Sequence, residues 1–309
     1  MESSDLPATE KDPADAPAEP ATLAKTLCVK RLPVDLSLYT ALQELQFDWC
    51  SDMTSLPESL GQLSALREIC ISRCNEMSQL PESLGQLAEL RTINLNTCGR
   101  LTCLPASIGQ LKQLTMLKIC FCNSLVCLPE SLGQLTALHT LMILGADALQ
   151  SLPPALGLLP TLQKLLIDAC TLTSLPESLG RLKTLKRLLI ENCHFLTRLP
   201  DSLGLLLELK TLKVEFCCRL TRLPDSTELL TGLQELSLFG TTITNRCIPG
   251  FIDCEKAQST LNVTMFNNHK HMRSYLLSLA TMLLGTQRLY KKNPQLPNEL
   301  YEMIMTVAR

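Results

Sequence analysis

The segment Leu80–Cys103 reads LPESLGQLAELRTINLNTCGRLTC, and close copies of it recur along most of the chain. The dipeptide Leu-Pro returns every 24 residues, with a single spacing of 23, at Leu32, Leu56, Leu80, Leu104, Leu128, Leu152, Leu175, Leu199 and Leu223. A period held this tightly indicates one structural unit used many times. No single copy can bury its own leucines, so the copies are predicted to stack into a solenoid.

Each copy combines two hydrophobic periods. The alternation that contains Ile69 and Ile71 predicts a short strand with these side chains pointing inward. The segment Pro-Glu-Ser-Leu-Gly predicts a short helix or helical turn that begins at the proline, and Gly85 and its equivalents are expected to allow a tight turn. The predicted fold class is therefore α/β, a solenoid with a curved parallel sheet inside and short helices outside.

The composition fits this architecture and excludes several classes of protein. Leucine accounts for 68 of the 309 residues, as expected when one core position is reused. The net charge of −2 argues against nucleic acid as the main partner, because binding to phosphates needs a concentrated basic surface. No apolar run is long enough to cross a membrane. We expect a monomer without a cofactor.

The first 20 residues contain no apolar signal-peptide core. The chain is therefore expected to be cytoplasmic or nuclear, with its thiols reduced. Seven of the 15 cysteines occupy one repeat position, which predicts a buried column of cysteines in the turn after each strand. The alternative is a zinc or redox site near Cys103 and Cys127, but no Cys-x-x-Cys pair or suitably spaced histidine supports it. We expect no metal site. The column consists of Cys50, Cys74, Cys98, Cys122, Cys170, Cys193 and Cys217.

Three regions are predicted along the chain. Residues 1–20 are expected to form a disordered leader, residues 21–266 the solenoid with degenerate end coils, and residues 267–309 a helical tail or cap. Within that tail, Leu296–Arg309 reads LPNELYEMIMTVAR and carries one apolar stripe. It either caps the solenoid or, since it resembles the start of an F-box, docks the chain onto a ubiquitin ligase.

No catalytic constellation is recognisable in the sequence. The chain contains neither a phosphate-binding loop of the type G-x-x-x-x-G-K-[ST] nor a G-x-S-x-G nucleophile motif. The recurring Ser-Leu-Gly strings belong to the repeat, whereas a catalytic group is unique. The chain is therefore predicted not to be an enzyme.

The variable strand positions are the candidate binding residues, because the repeat itself does not require them. Five apolar residues fall on the concave face and would form one contiguous patch, since adjacent strands lie about 4.8 Å apart. Charged residues form columns beside them, and Trp49 is an outlying anchor. The alternative is a solvated face of mixed charge with no specific ligand. The predicted partner-binding residues are Met116, Lys118, Phe121, Met142, Leu144, Lys164, Leu166, Asp168, Arg187, Leu189, Glu191, Lys213, Glu215 and Trp49.

The coil that begins at Leu56 with LPESLGQL and carries cysteine after its strand resembles a leucine-rich repeat. It is similar to the repeats of plant intracellular disease-resistance receptors, which combine a nucleotide-binding domain with such repeats. It is also similar, more distantly, to cytosolic scaffold proteins of Ras-family signalling. The resemblance spans about residues 27–250. It implies a non-catalytic scaffold or recognition module that binds a protein partner in intracellular signalling or defence.

Overall fold

Each described repeat contributes one strand of three to five residues, and most contribute one short helix as well. The computed structural model describes residues 26–29, 36, 39–243 and 262–264. The chain divides into two units, the first made of Met1–Leu149 with Ala155–Leu162 and the second of Gln150–Pro154 with Gln163–Arg309. The predicted leader, the tail and the F-box-like segment Leu296–Arg309 lie outside the described residues, so the predictions about them stay open.

The strands of each unit are parallel and pair in chain order. In the first unit they are β1 Thr26–Val29, β2 Glu44–Asp48, β3 Glu68–Ser72, β4 Thr92–Asn96, β5 Met116–Cys120 and β6 Thr140–Leu144. In the second they are β7 Lys164–Asp168, β8 Arg187–Glu191, β9 Thr211–Glu215, β10 Glu235–Ser237 and β11 Asn262–Thr264.

The core consists of the inward residues of these strands together with the leucines of the connecting turns. Leu117 is fully buried and lies in register with Ile93 of β4 and Leu141 of β6, which are buried as well. Between these positions most strand residues are half-buried or exposed, as period-two alternation requires; Cys120, Thr211 and Ser237 are buried exceptions. The alternate residues form what we call the strand face of each unit. The solenoid of parallel strands and short helices predicted from the period is confirmed.

The short helices are of the 3-10 type, with five residues each. Where a cap is defined, the proline of the Leu-Pro pair is the N-cap residue; Pro81, for example, has a φ of −70°. This agrees with the predicted start, because a proline lacks the N–H group that would have no partner there. The helices are Glu58–Gln62, Glu82–Gln86, Ala106–Gln110, Glu130–Gln134, Pro154–Leu158, Glu177–Arg181, Asp201–Leu205 and Asp225–Leu229.

The repeated glycine has a different role from the one predicted. Among the described glycines only Gly145 and Gly240 have positive φ, so Gly85 does not supply a left-handed turn. Instead, a Cβ atom on Gly85 would lie 2.6 Å from both the Cβ atom and the carbonyl oxygen of Ser107 in the next coil. The glycine is required because successive 3-10 helices approach each other too closely for a side chain.

The glutamate of Pro-Glu-Ser-Leu-Gly links each coil to the next. The Glu82 carboxylate accepts hydrogen bonds from the backbone N–H groups of Ala106 at 3.1 Å and Ser107 at 2.9 Å. These bonds satisfy N–H groups at the helix start that have no partner within the helix. They also lower the pKa of Glu82 below its ordinary value of 4.5. Equivalent bonds to the next coil are formed by Glu58, Glu130 and Glu177.

Replacing Glu82 by glutamine is expected to reduce the free energy of unfolding by about 0.5 kcal/mol at neutral pH, since the bonds are exposed to solvent. Because the folded-state pKa is lowered, the ionised carboxylate stabilises the fold above pH 4.5, and this contribution is lost as the pH falls through the lowered value. Denaturant titrations of both proteins at neutral and acidic pH measure the difference. Glu89→Gln, at an exposed site, is the control; a Glu82 effect that does not change with pH would contradict this explanation.

Candidate protein-binding surface

The strand face of the first unit presents apolar side chains to solvent. Met116 begins β5 and is 38% exposed. Met142 lies in register with Lys118, and Leu144 in register with Cys120; both apolar side chains are half-buried. None of the three belongs to the core, because their neighbours Leu117, Leu141 and Ile143 form it. The repeat therefore does not explain why these positions are apolar.

Strands β2 to β10 are each followed by a residue in the left-handed region, just before the buried cysteine or its equivalent. In the first unit these residues include Trp49, Arg73, Thr97 and Phe121, with φ between 53° and 58°. Non-glycine residues rarely adopt this conformation. The sequence contained one signal for it, since Gly145 occupies the same place with a φ of 60°. From the sequence, Trp49 and Phe121 were predicted to lie on the binding face, but their left-handed conformation was not predicted.

The left-handed turn lets Trp49, Asp48 and Arg73 form a cluster. The Arg73 guanidinium donates hydrogen bonds to both carboxylate oxygens of Asp48, at 3.0 and 3.1 Å, and lies 4.8 Å from the centroid of the Trp49 ring. The indole is nevertheless 64% exposed. A bidentate ion pair combined with a cation–π contact restrains the arginine. The cluster therefore offers a partner an orientated aromatic surface.

Phe121 occupies the equivalent place directly after β5 and is 55% exposed. A Cβ atom on Gly145 would lie 2.7 Å from the Phe121 ring. The ring therefore rests against the backbone of the next coil, where only glycine leaves room for it. Phe121, like Trp49, is a rigid aromatic side chain at the end of a strand, the type of residue that is enriched at interfaces.

The strand face of the second unit is dominated by charge. Asp168, Glu191 and Glu215 align in register across β7, β8 and β9. Burial, followed by the like charges of Glu215 and Asp168, raises the pKa of Glu191. Asn192 donates to Asp168 at 2.8 Å, and Ser237 to Glu215 at 2.6 Å. The outer two carboxylates are thus held by neighbours within the unit.

Cations and apolar residues lie beside this acidic column. Lys164 and Arg187 are in register with each other, and so are the half-buried Leu166 and Leu189. Lys213 pairs with Glu235 at 2.7 Å, and this hydrogen bond raises the pKa of Lys213. The second unit therefore presents a narrow apolar strip between charged columns, whereas the first presents larger apolar and aromatic groups.

The cysteine column is buried, as predicted. The Cys74 thiol donates to the backbone carbonyl of Ser72 at 3.3 Å, and the Cys170 thiol to that of Asp168 at 3.3 Å. Burial raises the pKa of Cys50 to about 12, so this thiol stays protonated and unreactive. Among the described residues, no three histidine, cysteine or acidic side chains are placed to hold a metal ion. In the same part of the chain, no helix is long and apolar enough to span a membrane.

Repeated strands, 3-10 helices and a buried cysteine column together define a leucine-rich-repeat protein, and the chain belongs to that family. A family model described as a leucine-rich repeat region matches residues 23–172. The leucine-rich repeat domain of the type III effector XopL is 30% identical; the match covers 67% of this chain and 71% of that one, with a TM-score of 0.61. Repeats of this family generally mediate protein–protein interaction.

Two further solved structures share the fold. A TDR receptor is 21% identical over 72% of this chain and 40% of its own, with a TM-score of 0.54. A chain of the Drosophila Toll–Spätzle complex is also 21% identical, over 69% of this chain and 32% of its own, with a TM-score of 0.51. This chain thus spans less than half of each. A comparison with curated protein sequences found no match.

Proposed function

We propose that this chain is a non-catalytic recognition module that binds a protein partner on its strand face. The observation that carries the proposal is the exposure of Met116, Phe121 and Trp49 on a face that the core does not use. Exposed apolar groups rimmed by charge mark interfaces. Aromatic anchors held in place lose little conformational freedom on binding.

The two strand faces would contribute differently. The apolar and aromatic groups of the first unit would supply most of the affinity, because a few buried anchors dominate interface energies. The charged columns of the second unit, among them Asp168 and Glu191, would favour a partner of complementary charge and accelerate the encounter. Because the charged columns are arranged asymmetrically, they would also favour one orientation of the bound partner.

The proposed setting is intracellular signalling or defence, in the cytoplasm or the nucleus. The likeness to the repeat domain of a type III effector is in keeping with a setting in defence. The alternative, a substrate receptor of a ubiquitin ligase, depends on Leu296–Arg309. It predicts that deletion of this segment removes a ligase adaptor from co-purified proteins while leaving other partners.

Replacing both Met116 and Leu144 by aspartate is expected to weaken partner binding more than tenfold, because a buried unpaired carboxylate opposes association. The partner is first identified by affinity purification with mass spectrometry, and the dissociation constant is then measured with the purified partner. The double variant Val126→Asp/Leu158→Asp is the matched control, since both residues are exposed and lie off the strand face. Equal binding by wild type and the Met116/Leu144 variant, with both folded, would disprove the strand-face proposal.

A further inference from the structure

The second unit contains a groove of about 380 Å³ that is lined by four charged side chains. Arg198 and Arg222 lie on it together with Asp201 and Asp225, above Leu199, Pro224 and Ser226. The four charged side chains are exposed. The groove lies beside the start of two 3-10 helices and not on the strand face, so it is separate from the surface proposed above.

The groove coincides with a departure from the repeat. The pentapeptide Arg-Leu-Pro-Asp-Ser occurs at 198–202 and again at 222–226. In the six coils that begin at Leu56 to Leu175 the arginine position is serine, glutamine or cysteine, and the aspartate position is glutamate, alanine or proline; the first Leu-Pro pair of the chain has Arg31 and Val34 there. The scaffold therefore requires neither residue. Both changes occur together in two neighbouring coils, so they place two matched pairs of charges side by side.

The scaffold makes little use of these four groups. The carboxylate of Glu177, one coil earlier, accepts hydrogen bonds from the backbone N–H groups of Asp201 and Ser202. Asp201 stands at the same repeat position but is one methylene shorter, and its carboxylate accepts no hydrogen bond from the described residues. Within that part of the chain, Arg222 and Asp225 likewise form no side-chain hydrogen bond or ion pair, and Arg198 interacts only electrostatically, with Glu177 of the preceding coil. Among the described residues, the opposite charges that line the groove thus form no ion pair with each other.

The arrangement selects for a ligand with both signs of charge. Arg198 and Arg222 precede the Leu-Pro pair in two adjacent coils, and Asp201 and Asp225 begin the 3-10 helices of the same coils. The arginines therefore form one short row and the aspartates a second. A purely anionic ligand would be repelled by the aspartates, and a purely cationic one by the arginines. A single zwitterion offers only one group of each sign, whereas a polypeptide can present several.

We propose that this groove binds a polypeptide segment in which acidic and basic side chains alternate, with its carboxylates on Arg198 and Arg222 and its cations on Asp201 and Asp225. Arginine suits the carboxylates, because its planar guanidinium matches their geometry. The site is independent of the strand-face function. It adds a second contact surface on another side of the second unit.

The test is fluorescence anisotropy of the full chain with three labelled peptides of equal length: alternating glutamate and lysine, oligoglutamate and oligolysine. The alternating peptide is expected to bind about tenfold more tightly than either of the others. Arg198→Gln/Arg222→Gln and Asp201→Asn/Asp225→Asn are each expected to weaken its binding about tenfold. Arg67→Gln/Arg91→Gln, which removes the same charge from exposed sites of the first unit, should leave it unchanged.

Several outcomes would overturn the proposal. If the folded groove variants bound the alternating peptide like wild type, the groove would not be its binding site. If the Arg67/Arg91 control lost as much affinity as the groove variants, the loss would come from the change in net charge. Oligoglutamate binding as tightly as the alternating peptide would make the groove an anion site. Thermal unfolding confirms that each variant is folded. The Met116→Asp/Leu144→Asp variant should bind the alternating peptide like wild type, so the two proposals fail separately.

Discussion

Leu117→Ala is expected to lower the free energy of unfolding by about 2–5 kcal/mol. Leu117 is fully buried in β5 and lies between Ile93 and Leu141 on the neighbouring strands. Alanine leaves a cavity that the flanking coils cannot close, because their spacing is fixed by backbone hydrogen bonds. Chemical denaturation followed by circular dichroism measures the loss.

The control for this experiment is the preceding residue. Met116 begins the same strand but is 38% exposed on the opposite side of the sheet. Met116→Ala is expected to change the free energy of unfolding by less than about 1 kcal/mol, within the range of surface substitutions. Similar losses for the two alanine variants would show that the alternation between core and strand face is misassigned. The pair thus separates a residue that builds the fold from one that is available for binding.

Gly85→Ala is expected to cost about 1–3 kcal/mol, the range for overpacking in a dense interior. The new Cβ atom would lie 2.6 Å from the Ser107 carbonyl oxygen, and a backbone atom cannot move aside as a flexible side chain can. The two coils would have to separate locally. The loss is measured as the shift in the midpoint of denaturation together with its slope.

Gly99→Ala is the matched comparison, because there a Cβ atom would meet nothing closer than the Asn75 Oδ1 atom at 3.6 Å. This is ordinary van der Waals contact, so the substitution should be nearly neutral. If Gly85→Ala were as stable as the wild-type protein, close approach between coils would not be the reason for the repeated glycine. If both glycine variants were destabilised alike, the cost would instead reflect the general difference between glycine and alanine at these turns.

Much of the fold was predictable because its rules are local. A period of 24 residues gives the number of coils, and the alternation around residues such as Ile69 and Ile71 gives the strand and its buried side. The cysteine column followed in the same way. The registers of Asp168 with Glu191 and of Leu166 with Leu189 were also predictable, since the repeat frame places equivalent positions side by side even across the one 23-residue spacing.

The candidate surfaces could be predicted from the sequence only in part, for a related reason. The apolar character of Met116 and Leu144 identified them as residues beyond the needs of the repeat. The sequence did not reveal that Arg73 would stack on Trp49 and form an ion pair with Asp48. That cluster depends on the left-handed residue that follows each of these strands. Nor did it reveal the groove at Arg198, which is lined by residues of two neighbouring coils.

The sequence by itself determined which residues recur, and hence the repeat, the strands and the separation of core from strand face. These properties depend on contacts whose spacing is set within one coil or by its exact repetition. The tertiary structure alone decided what crosses from one coil to the next: the capping of Ser107 by Glu82, the requirement for glycine at Gly85 and the support of Phe121 by Gly145. Those contacts depend on the distance between coils, which is set by the packing of all the leucines together.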